Sequence, residues 1–294
     1  MYRIILNPFA GKGKAFKSVS EVEELFDKFG LDYEVILTDS PKQAIEFAQQ
    51  AIQNGLKKII AAGGDGTINE VVNGIIRSGK QNKIIFGIIA LGGGNDFVKN
   101  FHYPKLLQDQ IKKFIKPKIK KIDVGKIEEF YFINTFGVGF DAQVARSYAN
   151  NLILNGSAGY YKAVMKELLR LKPYQIRIKL DGEVFTGKKL LISVANGRWC
   201  GGKFQLTPKA EIDDGLFDVC IIDYLNRFRI MQLLPKAQDG GHVGHPKVHI
   251  CRTKSIFISS EIALPVYFDG ELPILKNSKQ LRIDLLPAQI NLII

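Results

Sequence analysis

The first hundred residues alternate short, nearly continuous apolar runs with segments whose apolar positions recur every three to four residues. The runs "RIILN" (3–7), "YEVIL" (33–37), "KKIIAA" (57–62) and "KIIFGIIAL" (83–91) read as strands buried on both faces. An amphipathic helix is expected near 15–29. In Ser40-Pro41-Lys42-Gln43, an N-cap, a first-turn proline and a capping-box glutamine open a second helix, which runs to about Asn54 and stops at Gly55. Strands alternating with helices predict a parallel sheet covered on both faces, an α/β architecture of the nucleotide-binding type.

Past Asp123 the rhythm changes. After "IDVGKI" and "YFINTFGVGF" come two helical stretches near 140–150 and 158–171. From Tyr174 onward period-two segments dominate: "QIRIKL", "KKLLISVANG", "LFDVCIID", "SIFISS", "PVYFDG" and "QLRIDLL", interrupted by one helix near 226–237. This predicts a β-rich antiparallel sandwich or barrel. The expected division is an α/β domain at 1–123 and a β-rich domain at 124–284, with residues 285–294 a candidate to return to the first. No repeat of fixed period is present.

Composition narrows the classes. Apolar residues make up 46% and charged residues 24% of the 294, which is globular rather than disordered. No apolar run reaches bilayer-spanning length, and the short N-terminal run predicts no signal peptide. The chain reads as cytoplasmic. Cys200, Cys220 and Cys251 have no paired spacing, which predicts reduced thiols and no zinc site. The excess of Lys and Arg over Asp and Glu, 41 against 29 for a net charge of +12, favours an anionic partner. In "IKKFIKPKIKKI" (111–122) lysines alternate with apolar residues, read first as a solvated face and second as a membrane-surface patch. The aromatic-interleaved basic surface expected of a nucleic-acid binder is not evident, so nucleic acid is not an expected partner.

The strongest chemical signal is "IIAAGGDGTINEVVNGI" (59–75). A buried strand ends at Ala62 and turns through Gly63-Gly64-Asp65-Gly66. Thr67 and Glu70 have capping-box spacing, and Ile68, Val71, Val72 and Ile75 share one helical face. A strand, a glycine turn and a helix N-terminus present backbone N–H groups to an anion. Neither GxxxxGK[ST] nor GxGxxG is present. An aspartate in a phosphate loop needs a Mg²⁺ ion or a hydroxyl beside it; a solvated turn is the plain alternative. Two further glycine turns, "NPFAGKGKA" (7–15) and "LGGGNDFVKNF" (91–101), follow strands of the same sheet. Together the three would line one crevice at the carboxyl ends of parallel strands.

"GGDGT", with the upstream "NPxxG" and the downstream "GxNDF", resembles the diacylglycerol kinase catalytic domain, specifically that of soluble bacterial lipid kinases. "GGDGT" alone is shared with NAD kinases and phosphofructokinases of the same wider superfamily. "IDVG" (122–125), "GVGFDA" (137–142), "DDGLFDV" (213–219), "HPKV" (245–248) and "FDGE" (268–271) carry the likeness over nearly the whole chain. The resemblance implies an N-terminal domain like that of NAD kinase and phosphofructokinase. It also implies ATP and Mg²⁺ as cofactors, a lipid substrate and peripheral contact with an anionic membrane; a homodimer stays open.

Position by position, it implies ATP contacts at Asn7, Pro8, Phe9, Ala10 and Gly11, at Thr38, and at Gly63, Gly64, Asp65, Gly66, Thr67, Ile68 and Asn69. Gly93, Asn95 and Asp96 fall in the third such loop. Asp65, Asp96 and Asp123 match a carboxylate–water–Mg²⁺ network, while Asp214 with the carbonyls of Glu211 and Leu216 matches a structural Mg²⁺ site. Glu271 matches the proposed general base. One departure stands out: the family's Pro-x-Gly-Thr before Asn-Asp is Ala90-Leu91-Gly92-Gly93 here, so a proline and a hydroxyl are missing.

Read without the resemblance, Asp213-Asp214-Gly215 is first a plain β-turn between two strands and only second an oxygen-rich turn that holds a cation. His242, His245 and His249 read as surface or structural residues, and the apolar stretch 148–171 as core packing before an acyl-chain entrance. "DGE" occurs twice, at 181–183 and 269–271, both as tight turns. Only the second follows the ordered series of motifs, so Glu183 is expected to flank a plain turn. A kinase for a soluble substrate such as NAD, or a non-catalytic anionic-lipid or nucleotide binder, remain as alternatives.

Overall fold

The computed structural model describes residues 1–149 and 156–294; Asn150, the end of the predicted 140–150 helix, and the rest of 150–155 lie outside the described residues. The chain forms two compact units, residues 1–124 with 287–294, and residues 125–286.

Unit 1 begins β1 (Tyr2–Leu6), α1 (Lys14–Lys17), α2 (Val19–Lys28), β2 (Tyr33–Leu37), α3 (Gln43–Gln53), β3 (Lys58–Gly63), α4 (Asp65–Arg77), β4 (Ile85–Ala90), α5 (Leu107–Lys112) and β5 (Ile119–Ile127), whose last residues pass into unit 2. Strands β2, β1, β3 and β4 lie side by side in that order, all parallel. Ile4, Ile5, Leu6, Ile59 and Ile60 are fully buried. Each such side chain contributes roughly 1.5–3 kcal/mol through burial, which is why the apolar runs set the strands. The first helix is broken at Ser18 into α1 and α2.

Helix α4 buries Ile68, Val71, Val72 and Ile75 as its periodicity predicts. Its approach to α3 is close: a β-carbon on Gly74 would lie 2.6 Å from the Ile45 carbonyl oxygen and 2.7 Å from Ala48 Cβ. That proximity corrects two expectations about capping. Ser40 does not cap α3; the N-cap position is Lys42, at φ 70°. Glu70 of α4 accepts instead from the N–H groups of Lys42 at 3.0 Å and Ala44 at 3.3 Å, a carboxylate placed at the positive end of a neighbouring helix. Gln43 does reach back, but to Asp39 N–H, at 2.8 Å. Nor do Thr67 and Glu70 form a capping box, because α4 starts at Asp65 and Thr67 sits inside it.

Unit 2 comprises β6 (Phe130–Phe132), β7 (Thr135–Gly139), α6 (Phe140–Ala149), α7 (Gly156–Leu169), β8 (Tyr174–Leu180), β9 (Glu183–Ala195), β10 (Phe217–Asp223), α8 (Arg227–Lys236), β11 (Val248–Thr253), β12 (Ser255–Ser260) and β13 (Val266–Phe268). A final strand, β14 (Gln280–Ile293), starts in unit 2 and ends in unit 1. Its first part pairs antiparallel with β12, and Asn291 and Leu292 pair parallel with β4. Strands β11, β10, β9, β8 and β12 pair antiparallel in sequence, and β13 and β7 join through β9. Phe132, Phe136, Val194, Phe217 and Ile258 belong to the core enclosed by these strands, while α6, α7 and α8 cover a second cluster containing Val164, Leu168, Ile222 and Leu233. Among the described residues no helix is long and apolar enough to cross a membrane.

Candidate active site

The three glycine turns of unit 1 converge at the carboxyl ends of β1, β3 and β4. Asn7 Nδ2 donates to Thr67 Oγ1 at 3.2 Å, and Asn7 Oδ1 accepts the Phe9 N–H at 2.9 Å. One side chain therefore ties the first turn to α4 and shapes its own loop. A β-carbon on Gly92 would lie 2.5 Å from Gly64 Cα, and one on Gly11 would lie 2.5 Å from the Leu91 carbonyl oxygen. Only glycine permits such approaches of backbone to backbone. Gly11, Lys12 and Gly13 follow one another at φ 57°, 66° and 78°; for Lys12 the left-handed region costs about 1–2 kcal/mol.

Helix α4 has no side-chain cap at Gly64, so its first-turn N–H groups lack intrahelical acceptors, the setting in which helices bind anions. Ile68 is fully buried, and the Asn69 side chain is held by Asn73 Nδ2 at 3.0 Å. Pro8, Ala10 and Gly66 are half-buried and Phe9 is exposed at the turns. Thr38 is buried, and its N–H donates to the Leu6 carbonyl at 2.9 Å. Gly93 is exposed, and a β-carbon there would meet nothing within 4 Å, so its loop is not crowded where the family carries threonine.

The turns carry an acidic pair. Burial and the neighbouring Asp96 carboxylate push the Asp65 carboxyl up to about 6 against the pull of the Phe97 N–H and Lys99. Phe97 N–H donates to Asp65 Oδ1 at 3.0 Å, and Lys99 Nζ donates to Asp96 Oδ1 at 2.7 Å. Asn95, at φ 50°, donates from Nδ2 to the Gly92 carbonyl at 3.0 Å, while its buried Oδ1 has no hydrogen-bond partner among the described residues. A buried carboxyl raised by a second carboxylate, with an orphaned oxygen in the same turn, fits a divalent cation, whose charge would remove the repulsion. Asp123 is buried on β5, where its Oδ1 accepts the Ala288 N–H at 2.7 Å.

In unit 2 the two Asp-Gly-Glu copies are both tight turns, with Asp181 and Gly182 at φ 41° and 85°, and Asp269 and Gly270 at φ 45° and 88°. Their surroundings differ. Asp181, Gly182 and Glu183 are all exposed. Asp269 is buried, and its carboxylate accepts three main-chain N–H groups, from Ile133 at 2.7 Å, Asn134 at 3.1 Å and Thr135 at 2.9 Å. Phe268 and Glu271 exchange both backbone hydrogen bonds, at 3.0 and 2.7 Å. Glu271 thus stands half-exposed on a turn locked into the sheet.

At the expected Mg²⁺ site, Asp214 Oδ1 accepts the Leu216 N–H at 3.0 Å and Oδ2 pairs with the Arg252 guanidinium. Arg252 also lies 3.5 Å from Asp218, whose carboxyl is pushed up to about 6 by burial and by Glu211. Among the described residues no cluster of three or more His, Cys, Asp or Glu side chains could hold a metal ion. The histidines separate: His242 is buried with Nε2 3.1 Å from the Leu206 carbonyl, while His249 pairs with Asp223 at 3.2 Å.

Asp141 carries chemistry that the motif "GVGFDA" alone did not assign. It opens α6, its Oδ1 accepts the Ala142 N–H at 2.9 Å, and its buried Oδ2 has no partner among the described residues. A β-carbon on Gly137 would lie 2.3 Å from Asp141 Oδ2 and 2.1 Å from the Tyr267 ring, so the glycine makes room for both. Burial pushes the Asp141 carboxyl up to about 8, and the group is protonated at neutral pH. The folded state therefore holds a proton that the unfolded state releases between about 4 and 8, and stability falls as pH rises through that window, by at most about 1.4 kcal/mol per pH unit. Asp141→Asn is expected to flatten this slope in urea unfolding across pH 5 to 8, relative to wild type. An unchanged slope would show that Asp141 ionises normally in the folded chain.

Comparisons with known proteins bear on the fold and the family. The family "Diacylglycerol kinase catalytic domain" matches residues 1–127, and the family "YegS C-terminal NAD kinase beta sandwich-like domain" matches residues 134–294. The chain is 34% identical over 270 residues to the diacylglycerol kinases of Staphylococcus saprophyticus and Staphylococcus carnosus, covering 92% of this chain and 88% of each relative. A crystal structure of a diacylglycerol kinase from Bacillus anthracis strain Sterne has the same fold, with a TM-score of 0.79 at 24% identity, covering 99% of this chain and 96% of that one. With an N-terminal parallel sheet, a C-terminal sandwich and relatives matched over nearly their full length, the chain belongs to the diacylglycerol kinase family of lipid kinases.

Proposed function

We propose that the chain transfers the γ-phosphoryl group of ATP to the hydroxyl of a lipid, diacylglycerol giving phosphatidic acid. The observation that carries the reading is the backbone contact of three glycine turns beside the Asp65–Asp96 pair. The turns at Asn7–Gly11, Gly63–Thr67 and Gly92–Asn95 cradle the triphosphate with backbone N–H groups, which compensates for the family proline and threonine absent at Ala90 and Gly93. Mg²⁺ bound with the nucleotide would neutralise phosphate charge, and Asp65 and Asp96 are the carboxylates that would hold it. Glu271 accepts the proton of the attacking alcohol, a role suited to a carboxylate because that proton leaves late. Asp214, together with the Glu211 and Leu216 carbonyls, would hold a structural Mg²⁺ ion. Three free thiols suit a reducing cytoplasm, with the enzyme working at the membrane surface.

The test is an assay with radiolabelled ATP and Mg²⁺ on diacylglycerol, on a total lipid extract and on NAD. Labelled phosphatidic acid is the expected product. Label appearing in NADP would favour the soluble-substrate alternative, and lipid binding without any labelled product a non-catalytic binder.

A further inference from the structure

The segment that joins β6 to β7 is bonded on two sides. The N–H groups of Ile133, Asn134 and Thr135 all donate to the Asp269 carboxylate, and the Thr135 carbonyl accepts the Asp269 N–H at 3.1 Å. Its other carbonyls serve a second loop. That of Ile133 accepts Asn196 Nδ2 at 3.0 Å, and that of Asn134 accepts the N–H groups of Asn196 at 2.8 Å and Gly197 at 3.0 Å. The Asn134 side chain completes the link by donating from Nδ2 to the Trp199 carbonyl at 2.7 Å. Asn134 and Asn196 are buried, where polar groups bonded in this way hold one geometry. Three residues thus fix the turn that carries Glu271 to the loop that carries Trp199.

The loop is pinned on either side of Trp199 as well. Arg198 Nε donates to the Ala210 carbonyl at 2.8 Å. Cys200 and Phe204 exchange both backbone hydrogen bonds, at 2.9 and 3.0 Å, around Gly201 and Gly202 at φ 57° and 81°. A β-carbon on Gly201 would lie 2.8 Å from Tyr160 Oη of α7. Between these anchors stands the single tryptophan of the chain, half-exposed. Among the described residues, Trp199 belongs to neither of the two core clusters of unit 2, so core packing does not account for it.

We infer that this loop binds the lipid acceptor: the Trp199 indole packs on the acceptor where its polar backbone meets its chains, and Asn134 is the positioning residue that keeps this contact in register with Glu271. An indole is apolar over its faces and carries one N–H donor at its edge, which suits such a boundary. The tie to the Glu271 turn selects the acceptor over the nucleotide, because a base acts on the attacking hydroxyl. A misplacement of about 1 Å at the reacting atoms can cost roughly 100-fold in rate, and contacts on rigidly supported segments prevent it. The inference rests on the lipid-kinase reading with Glu271 as its base.

Emission of the one tryptophan, titrated in the full chain with a short-chain diacylglycerol free in solution, tests it, with and without a non-hydrolysable ATP analogue. Steady-state kinetics use the same lipid. Emission is expected to shift to shorter wavelength and to saturate. Trp199→Ala should raise KM for the lipid roughly tenfold and leave KM for ATP at the wild-type value, and Trp199→Phe should recover most of that loss. Asn134→Ala should lower kcat on the lipid, leave ATP binding by calorimetry unchanged, and move lipid-free Trp199 emission toward that of an exposed indole. Trp199 is half-exposed, so its variants are expected to keep the wild-type circular dichroism and Tm; if Asn134→Ala unfolds, the two Trp199 variants and the wild-type titration decide. Wild-type KM for the lipid in Trp199→Ala, an equal rise in both KM values, or emission that ignores a lipid the enzyme phosphorylates would each overturn the inference. A saturable emission change with no phosphorylated lipid would instead count against the kinase reading and leave the binding loop standing.

Discussion

Glu271→Gln is expected to lower turnover on a lipid alcohol by roughly 10²–10⁴-fold, the contribution typical of a positioned general base, while ATP binding measured by titration stays at the wild-type value. Glutamine is isosteric and keeps the Phe268–Glu271 backbone pair and the three N–H groups gathered by Asp269, so the turn survives and only the proton acceptor is lost. The chain supplies its own control. Glu183 follows the same dipeptide in a turn with nearly the same dihedral angles, yet that turn is exposed along its whole length. Glu183→Gln should leave both rate and stability unchanged. If both variants turned over at the wild-type rate, the base would have to be sought elsewhere.

Asp269→Ala is expected to cost on the order of 3–6 kcal/mol in urea unfolding. Three main-chain N–H groups lose their acceptor, and a buried unsatisfied group costs about 1–3 kcal/mol; an alanine at φ 45° adds left-handed strain. Total stability of such a domain is about 5–15 kcal/mol, so the variant stands near the edge of folding. Asp269→Asn, which tolerates the backbone angle and keeps one acceptor oxygen, should lie between. The matching change in the other copy, Asp181→Ala, removes only a turn preference and should cost less than about 1 kcal/mol. Equal effects of the two alanines would mean that the Asp269 carboxylate contributes nothing beyond turn geometry.

The two aspartates also mark where sequence reading reached its limit. Buried strands are legible because apolar runs such as Ile4–Leu6 and Ile59–Ala62 have no other way to leave water, and glycine turns because backbone contact such as Gly64 against Gly92 tolerates no β-carbon. What each polar side chain bonds to is set by segments distant in the chain. Ser40 has the local form of an N-cap, yet Glu70 stands at that helix end because Gly74 lets α4 come close to α3. Asp269 finds its partners more than a hundred residues away, and Asp141 keeps its proton because of burial that no neighbour in the motif announces. The edge strand β11 escaped the period-two pattern because most of it is half-buried or exposed.

The path of β14 has a consequence for biosynthesis. The strand segment that completes the parallel sheet of unit 1 beside β4 belongs to residues 287–294, translated only after the whole of residues 125–286. At 5–20 residues per second, β4 emerges with one edge unpaired and waits roughly 10–40 s for its partner. Ile85–Ala90 is apolar and, among the described residues, otherwise paired only with β3, the kind of open edge that recruits other chains. Unit 1 thus starts before the sandwich in translation but closes only after it, and the nascent chain is most exposed to misassembly while its sandwich is being made.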